Sequence, residues 1–227
     1  MFLAVIVSTA IYMAYNSQHK SYTVQEQVSA MQQNLRAAMY FLQKDIRMAG
    51  SDPALKAGGG GQAGAEILTA NAAELEFTMD ITGGENDGVD NDKDGQIDSA
   101  DPDGEWFDGE LGGTGEQVRF KLDNDGDDDG VADGFPCNLA RAMGGGGLQD
   151  IAENIEILNF VYLDEDGNQL DDDGAGNVVA SMDDIRQVRV TITARSDRRD
   201  PEFTSASGDN FRRRTLTMTI TPRNLGI

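Results

Sequence analysis

The chain opens on an unbroken helical pattern. Residues 1–49 contain neither Pro nor Gly, and Gly50 followed by Pro53 supplies the punctuation expected after a helix. Within this run the apolar positions change character. Met1–Tyr15 (MFLAVIVSTAIYMAY) is apolar except for Ser8 and Thr9, and the first charge is Lys20. Beyond it Val24, Val28, Met31, Leu35, Ala38 and Leu42 recur at steps of three and four, one stripe suited to a sheet or a partner helix. A helix of this length reaches roughly 70 Å at about 1.5 Å per residue, so part of it must project from the rest of the protein. The apolar start spans roughly 22 Å of helix, against the roughly 30 Å of a bilayer core. It lacks the basic n-region and small-residue cleavage site of a signal peptide, and resembles a membrane helix without its first few residues.

Further along, the period changes from helical to alternating. Glu66–Asp80 (EILTANAAELEFTMD) carries Ile67, Leu75, Phe77 and Met79, with a turn near Asn71, and Val118–Leu122 (VRFKL) alternates cleanly. Ile151–Leu163 (IAENIEILNFVYL) reads as helical at its start and as a strand at its end, running into a hairpin signal at Asp166-Gly167. Gln187–Ala194 and Arg214–Thr221 are alternating and rich in β-branched residues. The predicted fold class is α+β, a long N-terminal helix packed on an antiparallel sheet.

Charge adds a second division. The 227 residues hold 40 acidic against 18 basic side chains, a net −22, which disfavours nucleic acid and a basic membrane patch and invites a multivalent cation. The acids are concentrated: Glu85–Asp133 carries 18 of them against Lys93, Arg119 and Lys121, a local net of −15. The expected organisation is a helix over residues 1–50 for membrane anchoring and assembly, a head over 51–227, and an acidic insert over 83–147 within that head.

The spacing of the acids points to calcium. Asp90-Asn91-Asp92-Lys93-Asp94-Gly95-Gln96-Ile97-Asp98-Ser99-Ala100-Asp101 follows a twelve-residue calcium loop, with ligands expected from Asp90, Asp92, Asp94, Asp98, Asp101 and the backbone carbonyl of Gln96. Alternating carboxylates on a tight loop converge on one point, and Gly95 permits the turn. Asp101 is shorter than the Glu of sensor loops and no amphipathic helices flank the segment, so a stabilising site is expected and a conformational sensor is not. A second loop places Asp125, Asp127, Asp129, the Val131 carbonyl and Asp133 at the equivalent positions, with Pro136 where the last ligand would stand and Asp123 able to complete the shell. The competing reading of both stretches is a solvated acidic loop. Asp164, Asp166 and Asn168 read as a hairpin turn, and Asp171-Asp172-Asp173 carries a weaker metal signal.

Other chemistry finds little support. Cys137 is the only cysteine and reads as a small buried hydrophobe; His19 is the only histidine and has no second ligand nearby. Arg212-Arg213-Arg214 reads as a strand start pairing with local carboxylates. With one His, one Cys and no Gly-x-Ser-x-Gly, no nucleophilic active site is expected and the protein is not read as an enzyme.

Both ends of the chain resemble type IV pilins, and most closely the PilW family of minor pilins. The resemblance lies in Ser21–Pro53 (SYTVQEQVSAMQQNLRAAMYFLQKDIRMAGSDP), Tyr162–Leu170 (YLDEDGNQL), Asp183–Ser196 (DDIRQVRVTITARS) and Arg212–Ile227 (RRRTLTMTITPRNLGI). The middle, from about Gly83 to Gly147, is not covered. The basic leader ending in Gly and the Phe-Thr-Leu-Ile-Glu-like start of such pilins are not found here, and Met1 resembles a methionine a few residues along their helix. The resemblance implies a structural minor pilin: a single-pass protein of the inner membrane with a periplasmic head, assembling with other major and minor pilins through its helix near the tip or priming complex of an extracellular pilus. A pseudopilin of type II secretion and a calcium-dependent surface adhesin are the alternatives.

Overall fold

The computed structural model describes residues 2–51, 67–79, 117–143, 146–171, 178, 182–206 and 208–225. Helix α1 runs Phe2–Ile46, as the absence of Gly and Pro predicts. Its buried positions, Met31, Leu35, Ala38, Met39, Leu42, Asp45 and Ile46, all lie from Met31 onward, on the face given by the three-and-four spacing. After Ile46 the chain turns through Met48 and Ala49 to Gly50, whose N–H donates to the Thr78 carbonyl at 3.0 Å. Gly50 has φ +74°, and a Cβ there would meet the Leu225 side chain at 2.6 Å. Glycine is therefore required where the helix exit crosses the C-terminal segment.

The described strands form two antiparallel sheets. The first has the order β1 (Ile67–Ala70), β2 (Leu75–Thr78), β3 (Gln117–Leu122), β4 (Leu139–Met143), β5 (Gln149–Ala152); the second has β6 (Ile155–Leu163), β7 (Gln187–Arg195), β8 (Arg213–Ile220). The α+β class with a long N-terminal helix is thus present. Period two decides which side chains enter the core: Val118, Phe120 and Leu122 from β3, and Val188, Val190, Ile192 and Ala194 from β7. In β6 a register shift between Ile155 and Ile157 changes the parity, so burial passes from Ile155 to Leu158, Phe160 and Tyr162. Helix α1 lies against β5, β7 and β8, and its buried face joins residues of both sheets in one core.

Two expectations need correction. The segment from Ile151 has no helical start: β5 ends at Ala152, Asn154 takes φ +56° and β6 begins at Ile155. Ile151, Ile155 and Leu158 imitate a helical spacing, but Asn154 breaks the chain between two strands, its N–H donating to Asn138 Oδ1 at 3.2 Å. Residues 117–143, assigned from sequence to the acidic insert 83–147, contain β3 and β4, inner strands of the first sheet.

Candidate functional site

Two features of the molecule offer themselves to other molecules. The first is the front of α1. From Phe2 (89 % exposed) to Tyr22 (69 %) the helix carries Leu3, Val5, Ile6, Val7, Ile11, Tyr12, Met13 and Tyr15, all exposed, on every side of its axis. The helix remains regular because its backbone is satisfied internally, yet each of these side chains stays at least half exposed. Lys20 reaches Glu202 as an ion pair between the helix and the head. Among the described residues no helix is long and apolar enough to cross a membrane.

The second is the aspartate loop between β3 and β4. Its start is fixed by Asp123, whose N–H donates to the Asn138 carbonyl at 3.0 Å, and by Asp133, whose N–H donates to the Asn124 carbonyl at 3.0 Å. Its middle is fixed on the free edge of β6: the Leu158 N–H donates to the Gly130 carbonyl and the Ala132 N–H to the Glu156 carbonyl, both at 2.9 Å. Gly130, with φ +82°, lies so close to the Leu158 carbonyl that no Cβ fits. The glycine at the sixth loop position therefore serves a turn and a close approach to the sheet together.

This anchoring brings Asp125, Asp127 and Asp133 together, with a carboxylate oxygen of each within 4.8 Å of the others. Asp125 is only 6 % exposed and accepts from the N–H groups of Gly130 (2.9 Å) and Asp129 (3.2 Å). Burial raises the Asp125 pKa above the usual carboxylate value; the two backbone donors oppose the rise, and Asp129 and Asp127 add to it. Asp133 accepts from Gly126 N–H at 2.6 Å, while Asp127 is exposed. Three convergent carboxylates, one of them buried, suit a hard cation such as calcium, which takes six to eight oxygens, the rest supplied by carbonyls or water.

Of the other residues expected here, Asp129 does not join the three: its Oδ1 accepts from the Val131 N–H at 2.7 Å. Val131 is exposed and lies in a bridge opposite Ile157. Asp123 is not among the three either; its two oxygens accept from the Asn138 backbone and side chain, at 2.6 and 3.1 Å. Asp90, Asp92, Asp94, Gln96, Asp98 and Asp101 lie outside the described residues, as do Asp172 and Asp173. Asp164 is a turn residue, its carboxylate accepting from the backbone and side chain of Asn168 at 2.8 and 3.0 Å.

The remaining chemistry is structural. Cys137 is buried, and burial pushes its thiol pKa up to about 12, which leaves it protonated and unreactive. Arg212 holds Asp200 at 2.7 Å, and Arg213 holds Glu156 and Asp209. These partners lower the pKa values of Asp200 and Asp209, so Arg212 and Arg213 of the cluster do pair with local carboxylates. The sequence reading missed the role of Asn138, which ties the aspartate loop to β5 through Asp150 at 3.0 Å; a lone Asn carries no pattern that would reveal it.

No protein family matches the chain, and no curated protein matches it. Among solved structures it is similar to a type IV-like pilin from Thermus thermophilus at 11 % sequence identity and a TM-score of 0.47, over 86 % of this chain and 96 % of that one.

Proposed function

We propose that the protein is a structural subunit of a type IV pilus, a minor pilin of the PilW kind acting near the tip or in the priming complex. The observation that carries this reading is the division of α1: ten large apolar side chains between Phe2 and Tyr22 stand exposed, while the head begins to cover the helix near Thr23 and Val24 and buries it fully from Met31. Burying one such side chain is worth about 1.5–3 kcal/mol, so together they create a strong demand for an apolar environment. The inner membrane supplies it before assembly, and the helices of neighbouring pilins supply it in the filament. A photo-crosslinking residue at Ile11 should link the protein to other pilins in sheared filaments, whereas one at Arg223 in the head should not. Equal or absent crosslinking at both sites would sink the reading.

Calcium belongs to the same proposal. Asp125, Asp127 and Asp133 would hold the ion, and its positive charge would relieve their mutual repulsion and join the loop more firmly to β6. The loop Asp90–Asp101 is proposed as a second site on its ligand order alone. Excess calcium should raise stability by about 1–3 kcal/mol through binding to the folded state, and EGTA should reverse it. Asp125→Asn should abolish the part due to the aspartate loop. A melting temperature indifferent to both reagents would remove calcium from the account.

A further inference from the structure

The rear of α1 buries one face in the head and leaves the opposite face to solvent. On that outer face stand Arg36, Tyr40, Lys44 and, one residue past the helix, Arg47, all exposed. The Arg47 N–H still donates to the Gln43 carbonyl at 3.3 Å, so the helical turn carries on through it. At 3.6 residues per turn the four fall within about 80° of arc and along about 17 Å of axis. Arg223 in the C-terminal segment is exposed too, and its N–H donates to the Arg47 carbonyl at 3.2 Å, which sets another cation at the end of the row. Tyr40 is 63 % exposed, its ring edge-on to Phe41 with centroids 5.7 Å apart.

The row runs against the composition of the chain, which has 40 acidic side chains to 18 basic. Among the described residues Arg36, Lys44, Arg47 and Arg223 nevertheless take part in no ion pair, whereas Lys20, Lys121, Arg141, Arg212 and Arg213 each meet a carboxylate. The acids of neighbouring elements lie off the row. Asp45 is on the opposite side of the helix, buried against Arg141. Glu153, whose carbonyl receives Asn34 Nδ2 at 2.9 Å, meets the helix about 120° round from the centre of the row. Asp150 on β5 is held by Asn138 at 3.0 Å. Glu26 precedes Arg36 by about 15 Å of axis.

We propose that this row is a docking surface for an acidic segment of another protein, its carboxylates taken by Arg36, Lys44, Arg47 and Arg223 and its chain laid on Tyr40. Arginine offers a carboxylate a planar edge of matching shape and charge, and both arginine and tyrosine are enriched where proteins meet. The row is mounted on the part of α1 that the core fixes, so docking loses little freedom in ordering it. Complementary charge selects the occupant. Lipid headgroups fit less well, because about 20 Å of helix separates Tyr22, at the end of the apolar front, from Arg36. A nucleic acid would bring evenly spaced phosphates past the acidic remainder of a chain of net charge −22. A short acidic segment places its charge only where the cations stand. The surface depends neither on the apolar front nor on the aspartate loop.

The test is the fluorescence anisotropy of a labelled octaglutamate peptide titrated with the full chain in nonionic detergent. The expected result is saturable binding at about 50 mM salt that weakens at least about fivefold at about 300 mM. Arg36→Gln with Lys44→Gln should weaken it about three- to tenfold. Arg189→Gln with Arg214→Gln removes the same charge from exposed arginines of β7 and β8 and should change binding less than about twofold. Glutamine forms helix as readily as the residues it replaces on α1, so folding of that variant is not at issue. Tyr40→Ala, at unchanged net charge, should cost about threefold. Self-association of the chain that Arg36→Gln with Lys44→Gln abolishes identifies a second copy as the source of the acidic segment and supports the surface. Equal weakening by the two double variants, tighter binding of a thymidine octanucleotide than of octaglutamate, or no saturation by about 0.5 mM protein would overturn it, leaving a solvated helix face.

Discussion

The two ends of helix α1 are made by the same local rule and have opposite fates. Both lack Gly and Pro, and both are regular helix. Leu42 is fully buried at one end, while Phe2 at the other is 89 % exposed. Local sequence explains the helix in both places, but only tertiary contact explains burial, and the head provides that contact from about Val24 onward, fully from Met31. The difference teaches that one regular helix can serve the packing of the head along its rear and take no part in it along its front. The rear third holds the head together. The front carries apolar surface that the head leaves exposed, and a helix without tertiary packing is marginal on its own.

That contrast can be tested by substitution at either end. The largest effect is expected at Leu42→Ala, which empties a fully buried position and should cost about 2–5 kcal/mol in chemical denaturation. Gly50→Ala, at the helix exit, imposes φ +74° on a residue with a Cβ and presses on Leu225, for an expected loss of about 1–2 kcal/mol. Either substitution behaving as neutral would break the claim that the rear end organises the head.

Asp45 sharpens the contrast through pH. It is 3 % exposed, and its carboxylate meets Arg141 Nε at 2.7 Å, off the angle of a hydrogen bond. Burial raises its pKa above 3.8, opposed by Arg141 and Lys44. The stability contributed by its neutral form is therefore complete below the unfolded value of 3.8 and is lost as pH rises through the folded pKa. Asp45→Asn should flatten the dependence of the denaturation midpoint on pH above about pH 4, by an amount smaller than either effect above. An unchanged slope would show that burial at this end of the helix does not govern the carboxyl group.

Much of this architecture was legible in the residues. The helix followed from an uninterrupted run without breakers, and β2, β3, β7 and β8 followed from period two. Strand β4 did not, because Leu139–Met143 (LARAM) is composed of good helix formers. Only its pairing between β3 and β5 makes it a strand, and long-range pairing leaves no local trace. In the aspartate loop, positions one, three and nine of the ligand pattern do converge, as Asp125, Asp127 and Asp133. Asp129 does not, because a short side chain can instead satisfy a backbone N–H two residues on, here that of Val131. The second role of Gly130, its approach to β6, depends on a separate strand, at Leu158, and could not be read from the loop.

The smallest expected effect on stability belongs to the front of α1, and there the central claim is most directly exposed. The protein and its double variant Ile6→Lys, Ile11→Lys should be compared for flotation with liposomes and for chemical denaturation of the head. The account predicts that the variant loses flotation while its unfolding free energy stays within about 0.5 kcal/mol of the parent. Unchanged flotation, or a loss of stability approaching that of Leu42→Ala, would contradict it.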